Sequence, residues 1–368
     1  MDTNEIAIHF MGITDPRREG YAQRHKLVDI ISMAICAIIC RCNNWEEVED
    51  FVAVREAWFR QFLSLENGVP SHDTFNRVFS AIDPKEFERC FIAWTQDLCK
   101  LTKGEVIAID GKTVRGSRDA DTKAIHMVSA WANTNQMVLG QVKVEEKSNE
   151  ITAIPALLEW LEIKGCIITI DAMGCQKNIA EKILKKQADY LLALKENQLS
   201  LLENVTPYFS SNKSLGVCDS HSTIDKGHGR IEIRKCYSTS DISWIHQQHP
   251  DWSHIRSIAM VESTRTIKGK ISSEKRFYIS SLTSNASKIL AASRAHWGIE
   301  NTLHWTLDMT FNEDRSRLRK DYASQNFSML RRAALNLIKK VPDKRSLSRR
   351  RFMASIDNDY LLKVLEAA

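Results

Sequence analysis

The spacing of apolar residues changes once along this chain of 368 residues, near residue 104. Upstream, apolar residues recur every three to four positions, as in HKLVDIISMAICAIIC and WEEVEDFVAVREAWFRQFL, which predicts packed helices. Downstream, short apolar runs such as GEVIAID and CIITID alternate with amphipathic segments such as TAIPALLEWLEI. We therefore expect an α/β protein with an all-helical N-terminal domain at residues 1–100. A mixed sheet with helices on its faces should follow at residues 101–368.

Residues 213–283 break this alternation. The segments GRIEIRKCYS, SIAMVEST and KRFYISSL predict strands, and the segments between them are polar. We interpret residues 213–283 as a β-rich insertion within the α/β domain. The segment SKILAASRAHWGIENTLHWTLDMTF then predicts a long helix, and a basic C-terminal tail follows at residues 315–352.

The charge of the chain is concentrated in that tail. The whole chain carries 51 Lys and Arg against 46 Asp and Glu, whereas residues 315–352 hold thirteen Lys or Arg and two Asp, a net +11. A basic segment on an otherwise acidic body favours a polyanion partner, and a solvated helix face is the simpler alternative. The short N-terminal helices predict either a helix-turn-helix DNA reader or a plain helical cap. Arginines of the tail should then form one electrostatic footprint: Arg317, Arg319, Arg331, Arg332, Arg349, Arg350 and Arg351.

The cysteines and the apolar runs indicate the cellular compartment of the protein. Nine cysteines form no CxxC pair and no framework, which favours a reducing cytoplasmic compartment. The longest apolar run, residues 30–40, is too short for a membrane span of ~20 residues. The N-terminus also lacks a signal-peptide pattern. We expect a soluble cytoplasmic protein with no membrane partner.

Two acids stand at corresponding places in the α/β region. Asp110 ends the apolar run 106–109, and Asp171 ends the apolar run 167–170. In open α/β sheets, functional side chains collect beyond the carboxyl ends of strands. An acid at such a place is also a common turn former or helix cap. Two carboxylates on neighbouring strands, however, would make a site for a hard cation.

A third acid is available on the long helix that follows the insertion. The side chains that recur every four residues, and so share one face, are His296, Glu300, His304 and Asp308. The plain alternative is a helix that packs its tryptophans into the core and leaves this polar face in water. Zinc binding by the two histidines is a further alternative, although no HExxH arrangement is present.

Six strings carry a resemblance that spans essentially the whole chain: AIDGKTVRGS, ITIDAMGCQ, LKENQ, GHGRIEIR, FYISSL and AHWGIENTLHWTLDMTFNEDRSRLR. In this order they resemble the DDE transposases of bacterial insertion sequences, above all the H-repeat-associated group. The resemblance implies a ribonuclease H-like mixed sheet with an Asp-Asp-Glu triad made of Asp110, Asp171 and Glu300. The rivals for the third acid are Asp308, Glu313 and Asp314.

One departure from related groups concerns the helix of the third acid. Those groups carry Tyr seven and Arg four residues before the Glu, and Lys seven residues after it. This chain has Ser293, His296 and Leu307 at those places. Phosphate contacts on this helix would then fall to Arg294, His296 or His304.

The implied chemistry explains the three acids. Two Mg²⁺ ions ~3.5–4 Å apart stabilise the attacking and leaving oxygens of an in-line phosphoryl displacement. Mg²⁺ prefers oxygen ligands, so three carboxylates would suffice, with Mn²⁺ as a substitute. The chain has no P-loop, and we expect no nucleotide cofactor.

Basic and polar residues near these motifs are candidate DNA contacts. Each could neutralise or touch the phosphate backbone, and a surface turn is the plain alternative for each. The candidates are Lys112, Arg115, Lys195, Asn197, Gln198, His228, Arg230, Arg294, His296, Arg317 and Arg319.

We expect a Mg²⁺-dependent DNA transposase that hydrolyses phosphodiesters at its element ends and then transfers the freed 3′-hydroxyl to target DNA. By family analogy it would act as a homodimer on double-stranded DNA, in the bacterial cytoplasm near the nucleoid. One alternative is a decayed, DNA-binding regulatory relic, although a relic commonly loses an acid. Another is a nuclease of the same fold, which would cut DNA without joining it.

Overall fold

A computed structural model describes residues 8–20, 23–120, 122–145, 148–227, 229–252 and 254–367, without the side chains of residues 212 and 213. The N-terminal part is helical, as the apolar spacing predicts. Side chains of Asn44, Ser71 and Asp83 cap the starts of three of these helices, and Pro84 occupies the first turn after Asp83. The helices are α1 (Leu27–Ile39), α2 (Trp45–Val54), α3 (Glu56–Phe59), α4 (His72–Ala81) and α5 (Pro84–Leu98).

Nine strands of the described residues form one mixed sheet, in the order β3-β2-β1-β4-β5-β9-β8-β7-β6. Strand β1 pairs with β2 antiparallel and with β4 parallel, and β4 pairs with β5 parallel. A mixed α/β architecture after residue 100 is therefore confirmed. The strands are β1 (Val106–Thr113), β2 (His126–Ala132), β3 (Met137–Lys143), β4 (Ile167–Ile170), β5 (Asp189–Leu194), β6 (Asp219–Gly227), β7 (Arg230–Thr239), β8 (Ser257–Ile267) and β9 (Lys270–Ser280).

The β-rich segment continues this sheet through the antiparallel pairing of β5 with β9. It contains four strands where the sequence predicts three, because the edge strand β6 is polar and exposed and has no apolar alternation. Leu194, the last residue of β5, pairs with Phe277, so seven residues of β9 (270–276) extend beyond it. At ~3.3 Å per residue this extension is about 23 Å long. We call residues 221–236 and 261–276 the projecting ribbon.

The remaining helices cover the two faces and the β3 edge. A π turn at Ile299–His304 joins α11 to α12. These helices are α6 (Glu150–Trp160), α7 (Lys177–Lys185), α8 (Leu199–Tyr208), α9 (Asn212–Val217), α10 (Ser243–Gln248), α11 (Ala286–Gly298), α12 (Trp305–Met309), α13 (Ala323–Lys340), α14 (Leu347–Ile356) and α15 (Asn358–Leu365).

Helix α13 lies at the centre of the molecule, although its sequence belongs to the basic segment 315–352. It packs against α1, α4, α5 and β3, so the N-terminal helices and the sheet share one apolar core. The expected footprint of tail arginines is therefore wrong for three of its members, because Arg331, Arg332 and Arg351 are buried. Arg351 donates to the carbonyls of Ile38 and Ile39 and so caps the end of α1.

Two sequence expectations about the whole chain can be compared with this fold. All nine cysteines are free thiols, in keeping with a sequence that shows no disulfide framework. None of the helices within the described ranges is long and apolar enough to cross a bilayer.

Glu88 gives a test of the contact between α5 and α13. Its buried carboxylate accepts a hydrogen bond from Gln325, and burial raises the pKa of Glu88 to about 8. Since this pKa lies above that of the unfolded chain, Glu88 costs stability progressively as the pH rises from about 4.5 to about 8. We expect Glu88→Gln to raise the free energy of unfolding at pH 9 by on the order of 3 kcal/mol, and far less at pH 4.5.

Urea unfolding at both pH values measures this difference. The exposed Glu66→Gln is the matched control and should change neither value. An equal effect of Glu88→Gln at the two pH values would contradict the raised pKa.

Candidate active site

The register between β1 and β4 brings the first two acids together. Ile109 pairs with Ile170, so Asp110 and Asp171 come next on adjacent parallel strands, which lie about 4.8 Å apart. Asp110 does not end its strand as the sequence suggests. Strand β1 continues to Thr113 because its pairing with β2 continues after the pairing with β4 stops.

The long helix lies across the face of the sheet that carries these acids. His296 Nδ1 lies 3.1 Å from the Thr169 hydroxyl, and His304 Nδ1 lies 3.7 Å from Asp110 Oδ2. One turn further on, Asp308 pairs with Lys112. The polar stripe therefore faces the sheet. The alternative of a solvated polar face with buried tryptophans is wrong, because Trp305 is 59% exposed.

The π turn contains Glu300. Residues four apart drift around an α-helix in one direction, because a turn has 3.6 residues. A π turn, closed by i→i+5 hydrogen bonds, holds more residues per turn and offsets that drift. The stripe thus stays over the sheet for three turns. Glu300 and Asp171 line one cleft, together with Lys195 and Arg276.

The acids are close enough to affect one another's protonation. Burial raises the pKa of Asp110 to about 7, and the charges of Glu150, Glu300 and Asp171 add to this. Burial also raises the pKa of Asp171, with a further contribution from Glu150. For Glu300, partial burial and the charge of Asp171 raise the pKa, while Arg276 opposes them. Negative charge is therefore concentrated at this edge of the sheet.

Glu150, the first residue of α6, is a fourth acid that the sequence does not reveal. An acid at a helix N-terminus is common for reasons of the helix dipole, so the sequence carries no special signal here. Its carboxylate lies 2.6 Å from His126 Nε2, and the other ring nitrogen of His126 lies 2.8 Å from the Thr113 hydroxyl. A Cβ on Gly111 would lie 2.1 Å from Glu150 Oε1, so only glycine beside Asp110 leaves room for this pair.

No three Asp, Glu, His or Cys side chains within the described ranges converge closely enough to hold a metal ion. The zinc alternative finds no support in the placement of its two histidines, since His296 contacts Thr169 and His304 contacts Asp110. Burial lowers the pKa of His296 to about 4 and that of His304 to about 3. Both rings are therefore neutral at pH 7 in this conformation, and a phosphate contact by His296 stays a prediction.

Lys112 lies on the same face of β1 as Asp110, two residues further on. It is buried, and its ammonium lies 2.7 Å from Asp308, 3.0 Å from Asp314 and 3.5 Å from Glu313. Its expected role as a DNA contact is therefore wrong for this conformation, since three carboxylates already surround the charge. Asp308, Glu313 and Asp314, the three other candidates for the third acid, are thus all paired with Lys112.

The cluster around Lys112 is compensated inside the protein. Burial alone would raise the pKa of Glu313, but Arg332, Lys112 and Arg331 lower it to about 2. Arg332 Nη1 donates to Glu313 Oε1 at 2.6 Å, and both side chains are fully buried. Burial would likewise lower the pKa of Lys112, yet Glu313, Asp308 and Asp314 outweigh it and raise that pKa.

Comparison with known families matches two regions of the chain. Residues 101–337 match the family described as "Transposase DDE domain", and residues 7–95 match the family described as "DDE_Tnp_1-associated". The chain belongs to the DDE transposase family.

Two relatives of this DDE-family chain span its whole length. The "Putative transposase YncI" of Escherichia coli O157:H7 is 44% identical over 376 residues, covering 99% of this chain and 95% of the relative. The "H repeat-associated putative transposase YhhI" of Escherichia coli strain K12 is 40% identical over 375 residues, covering 99% and 98%. The resemblance to the H-repeat-associated group is confirmed.

The LKENQ loop contributes differently from what the sequence suggests. In this DDE-family chain Lys195 is exposed and lines the cleft beside Asp171. Asn197 donates to the carbonyl of Ala172, and Gln198 donates to that of Cys175. These two amides therefore hold the loop after β4 that carries Asp171, while a DNA contact by them stays a prediction.

The other expected DNA contacts are spread around the acids. Arg115, Arg317 and Arg319 are exposed, and Arg319 donates to the Gly116 carbonyl in the turn after β1. Arg294 on α11 pairs with Asp225 on β6 at 3.0 Å. These roles stay predictions.

Two further candidates belong to the ribbon. Arg230 lies at the far end of the projecting ribbon, and His228 lies outside the described residues. Arg276, which the sequence did not single out, lines the cleft and lies over the ring of Trp297 at 4.5 Å. It is half-buried and pairs with Glu274, so its place beside Glu300 depends on tertiary packing.

Glu150 gives a test of the coupling among the acids. We expect Glu150→Gln to lower the pKa of Asp110 from about 7, because one nearby negative charge is removed. That pKa should stay above its ordinary value, since burial remains. Carboxyl-¹³C NMR of aspartate-labelled, metal-free protein measures it, and Asp110→Asn identifies the resonance. Glu203→Gln, exposed on α8, is the control, and an unchanged Asp110 titration in Glu150→Gln would refute the coupling.

Lys112 gives a test of the compensated cluster. Lys112→Met leaves the carboxylates of Asp308, Glu313 and Asp314 without their shared cation. Removing one partner of a buried ion pair typically costs about 3–5 kcal/mol, and we expect a loss of that size in the free energy of unfolding. Urea unfolding at pH 7 measures it, with the exposed Lys123→Met as the control. A loss no larger than that of the control would show that the cluster contributes nothing to stability.

Proposed function

We propose that this chain is a DNA transposase that hydrolyses phosphodiesters at the ends of its element and then joins the freed ends to target DNA. The observation that carries the proposal is the place where the parallel pairing of β1 with β4 ends. Asp110 and Asp171 follow it on adjacent strands, Glu300 lines the same cleft as Asp171, and the charges of Glu300 and Asp171 add to the effect of burial on the pKa of Asp110. Membership in the DDE transposase family supports the same reaction class.

Carboxylate oxygens are the ligands that Mg²⁺ prefers, so the chemistry of these side chains suits a divalent cation. In this conformation the three acids do not converge closely enough to hold an ion, so binding would have to draw them together. A cation there would offset the negative charges of Glu150, Glu300 and Asp171, which add to the effect of burial on the pKa of Asp110. We propose that Asp110, Asp171 and Glu300 hold two Mg²⁺ ions, with Mn²⁺ as a substitute. When bound, such ions stabilise the negative charge on the attacking and leaving oxygens and lower the pKa of a bound water.

Glu300 is preferred to its rivals because of what surrounds each acid. Asp308, Glu313 and Asp314 are grouped around Lys112, which offsets their charge. Glu300 is exposed in the same cleft as Asp171. It therefore has a carboxylate that is available to a ligand from outside the protein.

The proposed reaction has two balanced steps. In the first, a water oxygen bonds to phosphorus at the element end and the P–O3′ bond breaks, which leaves a 3′-hydroxyl and a 5′-phosphate. One proton of the water ends on the departing O3′ and the other passes to solvent. In the second, that 3′-hydroxyl bonds to a target phosphorus, a target P–O3′ bond breaks, and a target 3′-hydroxyl is released. Neither step needs a nucleotide or a covalent protein intermediate.

The protein's own residues position the substrate in this scheme. Lys195 and Arg276 flank the cleft and would pair with phosphates on either side of the scissile bond. Neutral His304 lies against Asp110 and would help to hold the orientation of its carboxylate. Arg115, Arg317 and Arg319 would contact the backbone further away.

The proposal also includes a ribonuclease H-like fold and a homodimeric assembly. The order β3-β2-β1-β4-β5, with α6 between β3 and β4, supports a ribonuclease H-like sheet. We propose double-stranded DNA, both element ends and target, as the substrate of a homodimer in the bacterial cytoplasm. The exposed cations around the acids support a polyanionic partner.

Cleavage of the genomic flanks of the gene tests the proposal. Purified protein is incubated with labelled duplexes carrying each flank, in Mg²⁺ and in Mn²⁺, together with a target plasmid. We expect nicks at a defined position and joined products. Asp171→Asn and Glu300→Gln should lower both by at least ~10³-fold, because each removes a carboxylate proposed to hold the Mg²⁺ ions that stabilise the negative charge of the transition state. Asp50→Asn and Glu203→Gln, exposed on α2 and α8, are the matched controls.

Other outcomes separate the alternatives. Metal-dependent nicks without any joined product would favour a nuclease of the same fold. Tight, salt-sensitive binding without cleavage by the wild type would favour a decayed regulatory relic. Full activity of Glu300→Gln alongside an inactive Asp171→Asn would reject Glu300 as the third acid.

A further inference from the structure

A basic cleft lies in the N-terminal helical region, apart from the acids. It has a volume of about 620 Å³ and lies between residues 17–18 and 24–25 on one side and the start of α4 on the other. Four arginines and one histidine line it, whereas no carboxylate of a described residue does. These five side chains define the arginine cleft: Arg17, Arg18, Arg24, His25 and Arg77.

The cleft is held in shape before any ligand arrives. Arg17 donates to both oxygens of Asp15, at 2.9 and 2.6 Å, and to the carbonyl of His25 at 2.7 Å. Asn67 donates to the carbonyl of Arg24 and ties the segment to the loop before α4. The remaining amino group of Arg17, Nη1, is buried and has no hydrogen-bond partner among the described residues. Because this amino group is buried, exposed guanidinium groups such as those of Arg18 and Arg77 are the ones that a ligand can reach.

The local potential favours a negatively charged ligand. Burial lowers the pKa of His25, and the charges of Arg17 and Arg24 lower it further. The cleft therefore disfavours an added proton and should favour negative charge. Arg18, Arg24 and Arg77 are exposed, so a rigid partner can reach them. Arg77 donates from its guanidinium to the Asp73 carbonyl, which fixes the side chain along α4.

We propose that the arginine cleft binds the phosphate backbone of duplex DNA. Guanidinium groups match phosphate oxygens in a planar, bidentate manner, and several arginines around one cleft suit consecutive phosphates better than a single ion. Thr74, which lines the cleft three residues before Arg77 on the same face of α4, could face the same duplex. The choice of duplex DNA, as opposed to a nucleotide or another anion, rests on the proposed function.

The test compares two double variants of the full-length protein with equal loss of charge. Arg18→Ala/Arg77→Ala removes two exposed arginines of the cleft. The control is Arg60→Ala/Arg89→Ala. Both arginines are exposed and do not line the cleft; Arg60 follows α3 and Arg89 lies on α5. Binding to a labelled duplex carrying one genomic flank is measured by fluorescence anisotropy over a salt titration. A scrambled duplex is measured alongside it.

Each phosphate contact contributes about 0.9 to the slope of log K against log salt. We expect the cleft variant to lose about 1.8 of that slope, and its Kd should rise at least ~10-fold on both duplexes, because backbone contacts carry no sequence information. The control should bind like the wild type. Conservative Arg18→Lys/Arg77→Lys retains the charge and should restore most of the slope. Thermal melts monitored by circular dichroism confirm that each variant folds.

Binding and slope of the cleft variant equal to those of the control would overturn the proposal. A wild type that cuts its flanks while the cleft variant still binds normally would refute only the arginine cleft, and the transposase proposal would stand. If the wild type binds no duplex, both fail. Inorganic phosphate that binds the wild type but not the cleft variant, with no effect of the variant on duplex binding, would limit the cleft to small anions and also overturn the proposal.

Discussion

The register between β1 and β4 is the constraint on which the site depends. Pairing of Ile109 with Ile170 ends the parallel ladder one residue before two aspartates, so both carboxylates emerge side by side from a buried sheet. The long helix then needs a polar stripe opposite them, and its contacts fall in order along the strands, from Thr169 to Asp110 and Lys112. A shift of β1 by one residue would move the side chain of Asp110 to the opposite face of the sheet and break these contacts with the helix.

Helix α13 connects the region of the acids to the N-terminal helices. Its Arg332 is bonded to Glu313, which lies beside Lys112 on β1, and the same helix packs on α1, α4 and α5. The N-terminal helices are thus fixed relative to the acids by a packed core. The arginine cleft, whose Arg77 is on α4, therefore has a defined position with respect to the cleft that contains Asp171. A DNA segment reaching both would meet a preorganised surface, which reduces the ordering cost of binding.

Local sequence patterns predicted the helices and strands. Contacts between distant parts of the chain determine where β1 ends and which charged side chains are buried. The N-cap at Asp83, the buried strand before Asp171 and the face shared by His296 and Asp308 follow from spacing alone. The continuation of β1 beyond Asp110 depends on pairing with β2, which no local signal contains. Burial of Lys112 depends on ion pairs with Asp308 and Asp314, about 200 residues further along the chain. The sequence around Lys112 therefore gives no sign that this lysine is buried. Glu150 was missed because an acid at a helix start has a sufficient local explanation.

Charge compensation divides the acids of this region into two groups. Asp308, Glu313 and Asp314 share one buried ammonium, and Glu313 has Arg332 as well, so the protein itself offsets their charge. Among the described residues, no buried lysine or arginine is ion-paired with Asp110, Asp171 or Glu300. From the rim of the cleft, Lys195 lowers the pKa of Asp171 and Arg276 lowers that of Glu300. Burial and mutual repulsion then leave Asp110 with a pKa near neutrality. The contrast between the compensated acids around Lys112 and these uncompensated ones supports the proposal that Asp110, Asp171 and Glu300 bind divalent cations.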